Sequence, residues 1–297
     1  MDDFPILLVF KEQDFGGTQA DGILGLAPME SDPHAPFTLD ILKKHGIINE
    51  LTLSFKYRPV GEESTMGFGE INPQLIEGTT KIEMPIIYKG ILYFVNLAKS
   101  YYGPTQLSFD DAPALIDTGT SLIAAPLQPF ITLLRYLKEK TGHLYTCLGG
   151  SLYCVPCAGI DKDEELTFDF GQGKVGIKYS DIFMDFGDIC GLMMSPIQSN
   201  IWILGDVFIR NFYVVFKYEE SKVELYPNAG VTGTATAAAN VEVVTPPEEP
   251  ASGKSLGWVF VGAAAAVAVG SLAAWASQKC SGASKTEEEN LLLGYSL

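Results

Sequence analysis

The chain has 297 residues, 47% of them hydrophobic, enough for one large or two moderate cores and too apolar for a disordered tail. Twenty basic residues against 36 acidic ones leave a net charge of -16 and a pI near 4.5. Such a surface repels phosphate backbones and offers no basic stripe, which excludes nucleic acid as a partner.

The first residues, "MDDFPILLVF", are acidic, lack a basic n-region and carry only a short apolar run, so they read as a strand and not as a signal peptide. From there to about Pro227, short β-rich runs ("LTLSF", "ILYFVNLA", "LTFDF", "KVGIKY", "FYVVFKY", "KVELYP") alternate with Gly, Asp and Asn turns, the punctuation of an all-β protein. Two helices interrupt it. One follows Pro36 and ends in "LKKHG", where Lys43, Lys44 and His45 suit the negative end of the helix dipole and Gly46 is placed to cap it. The other runs from about Leu127 to Lys140, with Leu127, Phe130, Ile131, Leu134 and Leu137 on one apolar face.

After Asn228 the composition shifts to small and polar residues with Pro246, Pro247 and Pro250, which predicts a flexible stalk over 229–254. Leu256 to Ala276 is free of charge, flanked by Lys254 and Lys279, with Trp258 and Trp275 near its ends. That pattern predicts one transmembrane helix within 255–277 and a cytosolic tail over 278–297. In the tail, Glu287 stands four residues before Leu291-Leu292, a spacing similar to dileucine signals read by sorting adaptors. A cytosolic tail makes the β-rich part lumenal, in a single-pass membrane protein of the endolysosomal or secretory pathway.

Five cysteines are present, and Cys147, Cys154, Cys157 and Cys190 precede the stalk. Four thiols there fit two disulfides in an oxidising lumen; Cys154-x-x-Cys157 also has the spacing of a zinc site, so both chemistries stay open from spacing alone. His34, His45 and His143 are scattered without paired metal spacing, and no Gly-x-Ser-x-Gly occurs. "DFG" at Asp14, Asp169 and Asp185 lacks a Gly-rich loop or a strand lysine and is turn chemistry.

The stretch "ALIDTGTSLIAAP" places Asp117 on an Asp-Thr-Gly turn after the apolar residues Leu115 and Ile116. Thr118 and Thr120 offer hydroxyls to orient the carboxylate, and Gly119 lets another backbone approach. A single carboxylate cannot be both the base that activates water and the acid that protonates a leaving amine; two that share one proton can. Only one Asp-Thr-Gly is present in the chain.

"LIDTGTSLIAAP" and "NIWILGDVFIRNFYVVFKYEESKVELYP" closely resemble the second half of pepsin-like aspartic proteases of the cathepsin D and pepsin group, with Asp206, Arg210, Tyr213 and Phe216 in the expected order. "FGGTQADGILGLAP" resembles the first Ile-Leu-Gly segment of that family. The resemblance implies an all-β, bilobal fold and an endopeptidase that uses no metal or other cofactor and acts on extended peptide or protein substrates. It makes Asp117 one of two catalytic carboxylates, has Thr118 hydrogen-bond to the opposite lobe, and gives Gly119 and Thr120 the substrate backbone. It also implies a Cys157–Cys190 disulfide, which leaves Cys147 and Cys154 for a local one.

The repeated Ile-Leu-Gly carries a further expectation. Asp117 precedes Ile203 by 86 residues, and the same count back from Ile23 falls at position −63, upstream of Met1. On that reading 1–82 is the remnant of an amino-terminal lobe with inter-lobe strands, 83–228 is the catalytic lobe, and the chain is truncated at its amino end. The alternatives are an inactive lobe that binds peptides or a partner, and self-pairing of two copies through Asp117.

Overall fold

The computed structural model describes residues 22–28, 37–59, 61–108 and 111–235. The expected stalk over 229–254 is contradicted at its start, where 229–235 are described and Thr232–Ala235 pair as a strand with Gly173–Gly176. The rest of it, the expected membrane helix and tail, and the strand read at the amino end lie outside the described residues. Among the described residues, no helix is long and apolar enough to cross a membrane.

In chain order, helix α1 (Thr38–Lys44) is followed by strands β1 (Thr52–Lys56), β2 (Thr65–Phe68), β3 (Ile82–Pro85), β4 (Phe94–Leu97), β5 (Lys99–Tyr102), β6 (Thr105–Ser108), β7 (Ala112–Ile116) and β8 (Ile123–Pro126). Helix α2 (Leu127–Thr141) leads to β9 (Tyr145–Cys147), β10 (Leu152–Pro156), β11 (Glu165–Asp169) and β12 (Gly173–Lys178). Helix α3 (Tyr179–Ile182), β13 (Phe183–Asp185), β14 (Ile189–Leu192), β15 (Met194–Ile197) and β16 (Trp202–Leu204) follow. Helix α4 (Asp206–Ile209), β17 (Phe212–Lys217), β18 (Lys222–Pro227) and β19 (Thr232–Ala235) complete the fold.

Four sheets result, ordered β2-β1-β17-β18-β3, β15-β8-β16-β7-β4, β19-β12-β11-β5-β6 and β13-β14-β10-β9. The first joins the chain's early strands to its last large hairpin: β1 pairs antiparallel with β17 from Thr52↔Lys217 to Lys56↔Tyr213. Every residue of β1 is buried, and five of the six in β17 are, as expected of strands covered on both faces. Phe168 is wedged at right angles between Trp202 (5.7 Å) and Phe208 (5.4 Å), which ties the sheet of β11 to that of β16.

Both expected helices form. Gly46 has φ +68° and its N–H reaches the Lys43 carbonyl (2.9 Å), closing α1 as a glycine cap. Helix α2 ends at Gly142, φ +79°, whose N–H donates to Lys138 O (2.8 Å). Its buried face is Phe130, Leu133, Leu134 and Leu137; Leu127 and Ile131, expected there, are only half-buried. The helix lies against β6 and β8 so that position 133 points inward, a rotation that the apolar spacing alone does not fix.

Candidate active site

Strand β7 delivers Asp117 to the end of a sheet in which β16 is inserted between β7 and β8. Trp202, Ile203 and Leu204 run parallel to Ala114, Leu115 and Ile116, while Ile203 and Leu204 run antiparallel to Ala124 and Ile123. Asp117 N–H donates to Leu204 O (3.2 Å), Asp206 N–H to Thr120 O (2.8 Å) and Val207 N–H to Ser121 O (3.1 Å). Strand β16 and the start of α4 thus fasten both ends of the 117–122 loop. The approach is so close that a Cβ on Gly205 would overlap the carbonyls of Thr120 and Leu122, which explains the glycine of the Ile-Leu-Gly segment.

Within the loop both oxygens of Asp117 are engaged. Oδ1 accepts from Gly119 N–H (2.9 Å), and Oδ2 accepts from the Thr120 hydroxyl (2.7 Å). Gly119 does not occupy the left-handed backbone region; a Cβ there would lie 3.2 Å from Asp117 Oδ1, so the glycine keeps that oxygen unobstructed. Asp117, Thr118 and Thr120 are half-buried and Gly119 is exposed, which leaves the carboxylate reachable. The Thr118 hydroxyl finds no hydrogen-bond partner among the described residues.

Asp206, the first residue of α4, was placed in order by the sequence pattern but not assigned to the site. Its carboxyl is pushed up to about 6, first by burial and then by the Asp117 charge, with Arg210 opposing. Its Oδ1 is buried without a hydrogen-bond partner among the described residues. The Tyr57 phenol, just beyond β1, is pushed up to about 12 by burial, then by Asp206 and Asp117. Sequence reasoning missed both because the inter-strand approach that gathers them is tertiary; the signal that existed was the acid directly after Ile-Leu-Gly.

The raised Asp206 carboxyl carries a stability prediction. The native state keeps the proton up to about pH 6 while the unfolded chain releases it near 3.8, so this group's stabilisation is complete in acid and is lost as pH rises between those values. After discounting for solvent screening, the loss is on the order of 1–2 kcal/mol. Asp206→Asn is expected to flatten the melting temperature between pH 4 and 7 relative to wild type; parallel profiles would refute the assignment.

Successive residues of β7, β8 and β16 alternate between the main core and a second apolar cluster of Phe94, Leu115, Ala124 and Ile203, rimmed by partly buried Leu92 and Ile201. Leu115, a member of that cluster, lies two residues before Asp117 on the strand that delivers it.

Cysteine chemistry is settled by pairing. Cys147 bonds Cys154 and Cys157 bonds Cys190, with Cα separations of 6.1 and 5.0 Å, as the family resemblance implied. Asp185 lies beside Cys157 and Cys190, but both sulfurs are committed to each other, so the thiolate zinc reading fails.

The sequence of residues 6–227 matches a family model described as eukaryotic aspartyl protease. Pepsin II-1 of Oryctolagus cuniculus is 28% identical over 212 residues, covering 69% of this chain and 53% of its own length. Cathepsin E of Cavia porcellus is 28% identical, with 72% and 56% covered, and cathepsin D of Bos taurus 26%, with 71% and 56% covered. The chain spans about half the length of the curated relatives it matches. With the match extending over most of the chain and including the Asp-Thr-Gly loop, the protein belongs to the eukaryotic aspartyl protease family.

Proposed function

We propose that this chain supplies one catalytic carboxylate, Asp117, of an aspartic endopeptidase that cleaves peptide bonds between apolar residues at acid pH. The observation that carries the reading is the loop itself: a reachable carboxylate with both oxygens oriented by Gly119 and Thr120, on a turn fastened by Leu204 and Asp206. The apolar cluster from Leu115 to Ile203 favours an apolar substrate residue beside the scissile bond. Chemistry follows the shared-proton scheme: one carboxylate takes a proton from water as it attacks the carbonyl, and the other protonates the leaving amine. Thr118 would reach across to the lobe carrying the second aspartate, while Gly119 and Thr120 hold the substrate backbone.

The second reading, a lobe that binds peptides without cutting them, is favoured by the single Asp-Thr-Gly in the 297 residues. Assaying the chain, with and without any segment encoded in frame upstream of Met1, on an apolar peptide at acid pH separates the readings. Turnover only with an upstream Asp-Thr-Gly supports the endopeptidase; peptide binding without turnover in both supports the binding lobe. Turnover by the 297 residues alone supports self-pairing.

The same proposal has the disulfide-bonded part facing a lumen, Leu256 to Ala276 spanning the membrane and Leu291-Leu292 read by a sorting adaptor. Changing both leucines to alanine is expected to raise the cell-surface fraction several-fold by surface labelling; an unchanged distribution refutes the sorting role.

A further inference from the structure

The family match ends at Pro227, yet the chain remains on the folded body for eight more residues. Asn228 donates its N–H to Asn211 O (3.0 Å) and its Nδ2 to Arg210 O (2.9 Å), and its Oδ1 accepts from Lys56 Nζ. Ala229 N–H donates to Glu77 Oε2 (2.7 Å). Glu77 Oε1 faces Lys56 Nζ at 3.0 Å and Arg58 Nη1 at 2.7 Å. Strand β19 then adds to the edge of β12, from Thr232↔Gly176 to Ala235↔Gly173, and the Thr232 hydroxyl donates to Glu165 Oε1 (2.8 Å).

The glycines at this seam are there for room. A Cβ on Gly173 would lie 2.8 Å from Thr234 O, and one on Gly233 would lie 2.7 Å from Pro227. Lys56 is the most unusual member. Its side chain is 1% exposed, on a strand buried throughout, where an ammonium is costly unless paired and hydrogen-bonded. The partners it has are Glu77 and Asn228, and what these three hold together is the point at which the chain leaves β18.

We propose that residues 228–235 form a charge-locked strap, in which Lys56, Arg58 and Glu77 clamp the chain at Asn228–Ala229 so that everything after Ala235 departs from the β19–β12 edge, and that loss of the Glu77 charge releases it. Release would free eight residues, about 26 Å of extended chain, between the lobe carrying Asp117 and residues 236–297. The strap therefore fixes Ala235, on the β19–β12 edge, as the point from which the chain continues beyond the lobe carrying Asp117.

The lock has a defined acid limit. Partial burial would raise the Glu77 carboxyl, but the Ala229 N–H and the Lys56 and Arg58 charges outweigh it and hold the group below the usual carboxylate range. The charged groups facing the strap from the other side are Glu165 on β11 and Lys178, whose Nζ lies near Gly230. With the folded value lowered, closure is fully supported above pH about 4.5 and weakens only as pH falls further, through the lowered value.

Hydrogen exchange on the 297-residue chain, read on peptides covering 229–235 and corrected for intrinsic rates, tests the strap. Glu77→Gln is expected to accelerate exchange there roughly tenfold or more at pH 7, since a bond to a charged acceptor is lost, with β17 and β18 unchanged. Wild type is expected to open in the same segment only as pH falls below the ordinary carboxylate value of 4.5. Unchanged protection in Glu77→Gln, or no acid opening in wild type, overturns the proposal. Should Glu77→Gln unfold through the stranded Lys56, Arg58→Gln decides, because that side chain is one-third exposed. Acceleration confined to 229–235 then supports the strap, and none overturns it.

Discussion

Asp117→Asn is expected to lower peptide turnover by roughly 10³–10⁴-fold in any active assembly that contains this chain, because residues that act as a unit lose nearly all of the rate when one is removed. The substitution is nearly isosteric. Asn Oδ1 can still accept from Gly119 N–H, and its amide can donate to the Thr120 hydroxyl in place of the bond that Oδ2 now accepts. Folding should therefore be little changed, and circular dichroism and melting temperature serve as controls. Thr120→Val, which removes one of the two bonds orienting the carboxylate, is expected to cost about tenfold. A variant at Asp117 that keeps more than a few per cent of wild-type turnover would show that the carboxylate is not part of the chemistry. It would return the binding-lobe reading to first place.

The Asp-Thr-Gly loop was legible in the sequence because its constraints are local. Leu115 and Ile116 specify a strand, and the Asp117 carboxylate accepts from the Gly119 backbone N–H and the Thr120 hydroxyl, all within four residues. The two helices and the six β-rich runs quoted from the sequence were legible for the same reason, whereas short strands such as β2, β3, β13 and β15 were not. The rotation of α2 was not, since Leu133 and Ile131 are equally apolar and only contact with neighbouring strands selects between them. Asp206 and Tyr57 were invisible as a group. Residues 57, 117 and 206 converge through the insertion of β16 between β7 and β8 and the docking of β1 on β17, pairings between distant parts of the chain. The buried Lys56 was equally hidden, because in "LTLSFKY" it occupies what reads as a solvent-facing strand position.

The two disulfides should differ in their contribution, and the difference tests what they do. Cys157–Cys190 closes 32 intervening residues that include β11, β12, α3 and β13, whereas Cys147–Cys154 closes six across the β9–β10 hairpin, whose pairing Leu152↔Cys147 already holds the ends together. Restricting the unfolded chain gives roughly 3–4 kcal/mol for the long loop and about 2 for the short one. Replacing both cysteines of the long pair by serine is expected to lower the melting temperature by about 10 °C, taking 2–4 °C per kcal/mol for a body of this size. The same change in the short pair should cost about half as much. Cys190 also sits in a fully buried position with its sulfur 2.9 Å from the Tyr179 hydroxyl, so a serine there keeps a polar partner and the loss reports mainly the cross-link. Differential scanning calorimetry of the two double variants decides the matter. Equal losses, or a larger one for Cys147 and Cys154, would mean that loop length is not what governs, and that the hairpin depends on its own bond to form.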